Sequence, residues 1–358
     1  METDLAGEVD AAVARTLAEL ANNAGWRSYS GHQQRALAEQ LQTILGCEEV
    51  GLASSGSAAL EIMLRACRLP PGSEVLLAGY DYPGTFAAVE RVGARPALVD
   101  VEGHGWNLSL DSLETVVGPA CRAMIVSHLH GQLQPVAALH QWCRQRNIWL
   151  IQDACQALGA SIEGQPLGRF GDATIISFGG SKVMSAGRGG AWATTSAKLA
   201  QHARIAAGVG SGPYELSELQ ASAVLAQLPF LERITRECRA YFRKQAMIMA
   251  ELCPRVSAPW LPDVEHTAFY QAGWLLPVHE TASSQSELSQ SQRAAHERIG
   301  IGSGFAGYHR RSARRCRIDS SLSGTTLAAQ TTLTVHFRVV WNDVPVARLI
   351  AERINGAR

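Results

Sequence analysis

The stretch IWLIQDACQALGA (148–160), followed by GRFGDATIISFGGSKVMSAGRGGAWATT (168–195), decides how this chain folds. IWLIQD (148–153) and ATIISF (173–178) are short, continuous apolar runs bounded by turn residues, the pattern of strands buried in a sheet covered on both faces. The first ends in Asp153. The second leads through a glycine-rich loop to Lys182, and GAWATT (190–195) follows as another strand.

The same texture extends towards the N-terminus. EVGLA near residue 50, EVLLA (74–78), RPALVD (95–100) and RAMIVS (122–127) read as strands, while 57–67, 84–92, 110–117 and 134–146 have helical spacing or composition. Alternating strands and helices build a largely parallel sheet between helical layers, so this is an α/β domain. Residues 197–251 read as a helical connector. After Pro254 the texture changes to a strand, AFYQAGWLLP (268–277), a polar stretch near 282–292, a Gly-rich turn (299–309), an apolar run, TTLTVHFRVVW (331–341), and a final helix, VARLIAERI. The expected division is a large α/β domain with an N-terminal helix over 1–235 and a smaller α+β domain over 236–358.

Composition narrows the partners. The 358 residues carry 32 Lys+Arg and 32 Asp+Glu, which gives no electrostatic reason to expect a nucleic-acid or anionic-membrane partner. The eight cysteines form no C-x-x-C pair and no ligand-spaced cluster with histidine, so they read as core thiols and no metal is expected. The first twenty residues show helical apolar spacing at Leu5, Val9, Val13, Leu17 and Leu20 rather than a basic-then-apolar leader, and no apolar run reaches membrane-spanning length. A cytoplasmic protein acting on small molecules is expected.

Five features bear on chemistry. Asp153, at the carboxyl end of a central strand, lies where ligands of open α/β sheets bind; it could pair with a protonated ring nitrogen or simply cap the following turn. Lys182 could form a Schiff base over the same strand ends or serve as a solvated turn residue. SSGSAAL (54–60) opens a helix, so the amides of Gly56, Ser57 and Ala58 form a phosphate cradle or belong to an ordinary serine N-cap. Tyr82, in GYDYPGT, offers an aromatic face, and Ser177 a hydroxyl at a strand end; both also have ordinary readings as loop and strand-end residues. Together they supply what pyridoxal 5'-phosphate (PLP) requires: an amine, an acid, phosphate donors and a stacking ring. In SHLHGQ, His128 and His130 suggest a pocket-lining His128 beside a structural His130, with no third residue to complete a metal site.

At these phrases, and at VGARPALVDVE, AGRGGA and LSELQASAVLAQL, the sequence resembles the DegT/DnrJ/EryC1/StrS sugar aminotransferases of PLP fold type I. The resemblance implies a mostly parallel seven-stranded large domain, with Lys182 carrying PLP and Asp153 on the pyridine nitrogen. It places Gln156 near the ring hydroxyl, Tyr82 on the ring, and Gly56, Ser57, Ala58 and Ser177 at the phosphate. It further implies a homodimer with interfacial active sites, and a ping-pong transfer from L-glutamate or L-glutamine to a keto-sugar or a cyclitol ketone.

Three departures bear on the substrate. Arg188 stands where the family carries an acid, and joins His128 as a candidate substrate contact. PYELSE (213–218) brings Pro213 and Glu215 in place of an asparagine and an arginine. The stretch YHRRSARRCR (308–317) is unfamiliar; its arginines could grip an anion or form a solvated basic face. A PLP lyase or dehydratase-like enzyme, and a non-catalytic ligand-binding homologue, are the competing readings.

Overall fold

All seven runs expected in the large domain are strands: β1 (Glu49–Ala53), β2 (Glu74–Ala78), β3 (Arg95–Val99), β4 (Cys121–Ser127), β5 (Trp149–Asp153), β8 (Ala173–Ser177) and β9 (Gly190–Thr194). The computed structural model describes residues 4–208, 212–277, 300–319 and 321–356. Between β5 and β8 lies a small hairpin, β6 (Ser161–Ile162) with β7 (Gln165–Pro166). The C-terminal part contributes β10 (Gln271–Leu275), β11 (Ile301–Ser303), β12 (Arg317–Ile318) and β13 (Thr332–His336). The polar stretch near 282–292 lies outside the described residues.

The large sheet runs β1-β9-β8-β5-β4-β2-β3-β12. It therefore has eight strands rather than the expected seven, because β12 pairs parallel with the edge strand β3. Only β9 opposes its neighbours. A parallel return needs a crossover element, and the segment between Ser177 and Gly190 has no helix to provide one, so β9 comes back antiparallel. Lys182 sits in that return. The register of β4 with β5 sets Ser127 beside Asp153, so these strands finish level at the carboxyl edge.

Helices cover both faces: α1 (Leu5–Asn22), α2 (His32–Leu45), α3 (Gly56–Ala66), α4 (Pro83–Arg91), α5 (Leu110–Val116), α6 (Val136–Gln145), α7 (Ala197–Ala207) and α8 (Glu218–Gln227). Helix α9 (Leu231–Leu252) buries Leu231, Ile234, Cys238, Phe242 and Ala246 at the three-to-four spacing of an amphipathic helix. It runs unbroken through the expected 235/236 boundary. Beyond it, β10, β13 and β11 form a small antiparallel sheet, accompanied by α10 (Ser323–Thr331) and α11 (Val346–Gly356). The two sheets share a core: Trp106 of the large part donates its indole N–H to Thr332 Oγ1 at 2.9 Å, and the same buried cluster holds Trp260, which meets Phe269 and Trp274 edge-on. None of the described helices is long and apolar enough to cross a membrane.

The arginine-rich stretch fastens the edge of the large sheet. Arg317 Nε reaches both Glu74 carboxylate oxygens at 3.0 and 2.9 Å, and Arg315 Nε reaches Glu90 at 2.8 Å. Arg310, Arg311 and Arg314 remain exposed. The stretch thus combines a structural clasp with a basic face.

Candidate active site

A cavity of about 400 Å³ opens at the carboxyl ends of the central strands. Asp153 ends β5 on its wall. One of its oxygens, Oδ1, accepts the Cys155 amide at 2.9 Å, so it caps the following turn as well as facing the cavity. Lys182 enters from the β8–β9 return, where its amide closes a turn on the Gly179 carbonyl at 2.9 Å. Both expected functions of these residues draw on the same open space.

Gly56 and Ser57, at the start of α3, line the same cavity, as does Ser177 at the end of β8. A Cβ on Gly56 would lie 2.9 Å from both Cys155 Sγ and Ser177 Cβ. Only glycine lets this helix start sit so close to the strand end. Ala58 is placed differently from expectation. Its amide donates to the Ser55 hydroxyl at 3.0 Å, so it is spent on the N-cap, and the residue does not line the cavity.

Tyr82 is half-exposed on the cavity wall, its amide bonded to Asp81 Oδ1 at 2.6 Å. Gln156 also lines the cavity; its Oε1 accepts the His130 amide at 3.1 Å. Arg188 stands at the exposed rim, its carbonyl accepting from Gln220 Nε2 at 3.2 Å.

The two histidines exchange the roles expected of them. His128 is buried behind the cavity, Nε2 against Gln152 Oε1 at 3.2 Å and Nδ1 accepting the Gln134 amide at 3.1 Å. Burial without a charged partner depresses its pKa to about 4. His130 is the one on the cavity wall. Strand β4 stops at Ser127, so strict alternation no longer governs the following residues.

Several wall residues had no signal in the sequence. Tyr270 and Phe305 arrive from the small domain, and the Lys182 amine lies 3.7 Å from the Tyr270 ring centroid. Thr85 lines the cavity, its buried hydroxyl without a hydrogen-bond partner among the described residues. Asp81 is buried beneath, accepting from Ser127 Oγ at 2.7 Å; burial, with the Asp153 charge nearby, pushes its pKa up to about 8. GYDYPGT and AFYQAGW were the phrases that contained Asp81 and Tyr270.

A single cavity therefore presents a primary amine, a carboxylate, a glycine-tight helix start, two strand-end or loop hydroxyls and an aromatic face. This set fits PLP, whose aldehyde, ring nitrogen, phosphate and flat ring each find a group of matching chemistry. The family model for the DegT/DnrJ/EryC1/StrS aminotransferase family matches residues 8–339. The chain belongs to this family. It is 31% identical over 221 residues to GDP-perosamine synthase of Caulobacter vibrioides, covering 58% of this chain and 59% of that protein. It is 32% identical over 212 residues to a UDP-N-acetyl-3-dehydro-alpha-D-glucosamine 3-aminotransferase of Acidithiobacillus ferrooxidans, covering 56% and 58% respectively. The matched region thus spans under two thirds of these relatives. Among solved structures, NtdA of Bacillus subtilis with bound cofactor PMP superposes with a TM-score of 0.84 at 21% identity, over 98% of this chain and 82% of that one. That likeness establishes the family fold, PLP fold type I.

Proposed function

We propose that this member of the family is a PLP-dependent aminotransferase that takes the amino group of L-glutamate or L-glutamine and delivers it to a ketone of a sugar, nucleotide-linked or free, or of a cyclitol. The observation that carries this reading is the convergence of Lys182 and Asp153 on one cavity from two neighbouring strand ends. Bound there, PLP would supply an electron sink for the donor's α-carbon and would hold the amino group between the two half-reactions.

The chain's own groups have distinct tasks. Lys182 would bond the cofactor's aldehyde carbon, and its free amine would take and return the proton of the donor's α-carbon. Asp153 holds positive charge at the ring nitrogen. The unpaired first amides of α3, at Gly56 and Ser57, and the Ser177 hydroxyl bind the phosphate, where the helix dipole favours an anion. Tyr82 covers the ring, Gln156 turns its amide towards the ring hydroxyl, and Arg188 meets an anionic part of the substrate at the rim. The relatives named for GDP- and UDP-sugars support a sugar acceptor. Exposed Trp26 and Tyr29 and half-exposed Tyr82 support a homodimer in which a second copy closes the cavity, and the eight free thiols support a cytoplasmic location.

The test is the absorption spectrum with PLP, before and after L-glutamate or L-glutamine, for the wild type and Lys182→Ala. A visible band in the wild type that fades with donor, and is missing from the variant, is expected. A band unmoved by a broad donor panel overturns the aminotransferase reading in favour of a lyase; the same band in both proteins overturns the role of Lys182.

A further inference from the structure

His130 is fixed more rigidly than a spacer would require. Its φ is +56° and that of Gly131 is +90°, so the chain turns back sharply on leaving β4. The His130 amide donates to Gln156 Oε1 at 3.1 Å, and its carbonyl accepts the Gly273 amide at 2.8 Å. The imidazole is fully buried between Trp106, Phe305 and Tyr80, with ring centroids 5.0, 5.3 and 5.9 Å away.

Counting hydrogens around Tyr80 sets the tautomer. The Trp106 indole can only donate, and it does so to Thr332 Oγ1 at 2.9 Å. The Tyr80 phenol has two hydrogen-bonded neighbours among the described residues, the Phe305 amide and His130 Nε2. The Phe305 amide, also only a donor, reaches the same phenol oxygen at 3.0 Å. Because the Phe305 amide cannot accept, the single phenol proton goes to His130 Nε2 at 3.1 Å. Nε2 is therefore an acceptor. Burial and the nearby Lys182 charge push the ring's pKa down to about 3, so it is neutral and must carry its one proton on Nδ1. Nδ1 is buried and has no partner among the described residues. His128, two residues earlier, has both ring nitrogens bonded and shows what a purely structural histidine looks like here.

We propose that His130 is a cofactor-binding residue whose Nδ1–H donates to the oxygen on the pyridine ring next to the carbon that Lys182 bonds. This rests on the PLP reading. Of the cofactor's polar atoms, the phosphate belongs with Gly56, Ser57 and Ser177 and the ring nitrogen with Asp153, which leaves the ring oxygen for a donor close to Lys182. The His130 amide already holds Gln156, whose own amide group is assigned to that oxygen. Tyr80 then acts as a positioning residue, its phenol proton held on Nε2 so that the ring's own proton stays on Nδ1. The titratable groups around His130 are Tyr80 after β2, Lys182 in the β8–β9 return, and the carboxyls Asp81 and Asp153 at the ends of β2 and β5.

Two measurements test it. In protein labelled with nitrogen-15 histidine, His130 should show a protonated Nδ1 and an unprotonated Nε2, and adding PLP should shift the Nδ1 signal. In the PLP-loaded protein, losing this donor returns the ring oxygen to the proton it shares with the Lys182 nitrogen, so in His130→Phe the pH midpoint of the visible band should rise by about one unit. His130→Asn, which places an amide N–H near the Nδ1 position and tolerates a left-handed backbone, should stay close to the wild type. Tyr80→Phe should move the midpoint part of the way. A protonated Nε2, or an unchanged midpoint in both His130→Phe and Tyr80→Phe while the band forms normally, overturns this assignment and leaves the PLP reading intact. No visible band in the wild type overturns both.

Discussion

The Lys182 amine rests 3.7 Å from the centroid of the Tyr270 ring, although the two residues are 88 positions apart and belong to different sheets. Tyr270 is itself tied back to the lysine loop, its hydroxyl 2.8 Å from Ser181 Oγ, and His336 Nε2 bonds the Ser181 carbonyl at 2.9 Å. The C-terminal part of the chain therefore orients the Lys182 amine. Tyr270→Phe should keep the cation–ring contact, worth about 0.5–2 kcal/mol, and lose only the tether. Tyr270→Leu loses both, and should slow formation of the visible PLP band by roughly three- to tenfold, read by stopped-flow absorbance. Equal rates in Tyr270→Leu and the wild type would show that the contact has no part in presenting the amine.

Asp81 gives the protein a pH signature. Its pKa in the fold is raised to about 8 by burial and by Asp153, above the ordinary carboxyl value of roughly 3.9. A raised acid contributes stability fully below its unfolded pKa and loses it as pH climbs through the folded one. Cofactor-free protein should therefore lose about 4 kcal/mol between pH 5 and pH 8.5, seen as a falling urea midpoint. Asp81→Asn preserves the size of the side chain; its Oδ1 can still accept the Tyr82 amide, and its Nδ2 can donate to Ser127 Oγ. It should flatten that slope; a slope as steep as the wild type's would assign the effect to another group.

How much of this was legible in the sequence follows from the range of the forces involved. β5 and β8 announced themselves because buried parallel strands are continuous apolar runs, and Asp153 and Lys182 were expected at one cavity, which they both line, because strand ends converge whatever the details of the loops. Tyr270 and Phe305 were not found, since only tertiary packing of the small sheet carries them to the cavity. His128 and His130 were given each other's places because the sequence does not show that β4 stops at Ser127 and that the chain turns at His130, whose φ is left-handed. Ala58 was counted as a phosphate donor because a helix start has the same spacing whether or not a serine cap has already taken the amide. The arginine-rich stretch read as an anion grip or a basic face because the sequence does not show that Glu74 and Glu90 face it.

That stretch yields a stability prediction separate from catalysis. Arg317 and Glu74 have side chains 22% and 10% exposed, and the guanidinium also donates to the Val116 carbonyl at 2.6 Å. Arg317→Ala would leave Glu74 poorly paired and should cost about 2–4 kcal/mol. Arg315 and Glu90 form their ion pair in more open solvent, 48% and 29% exposed, so Arg315→Ala should change stability little and lose most of its effect in high salt. Urea denaturation of the two variants checks the order. Both should bind PLP normally, because β12 lies at the far edge from the strand ends that carry Asp153 and Lys182.

Gly56 tests the phosphate end by shape alone. A methyl group there would meet Cys155 Sγ and Ser177 Cβ at 2.9 Å, neither of them the tip of a long flexible chain. In Gly56→Ala the start of α3 must move away from β8, at a cost of about 1–3 kcal/mol. The displaced amides would no longer meet the phosphate together with Ser177, so the dissociation constant for PLP should rise roughly tenfold or more. Pyridoxal without its phosphate should bind both proteins with similar affinity, since it makes no use of that end. If Gly56→Ala weakened pyridoxal as much as PLP, the change would lie in the Lys182 or Asp153 wall, and the α3 terminus would have no claim to the phosphate. Parallel titrations of the visible band with the two compounds decide between these outcomes.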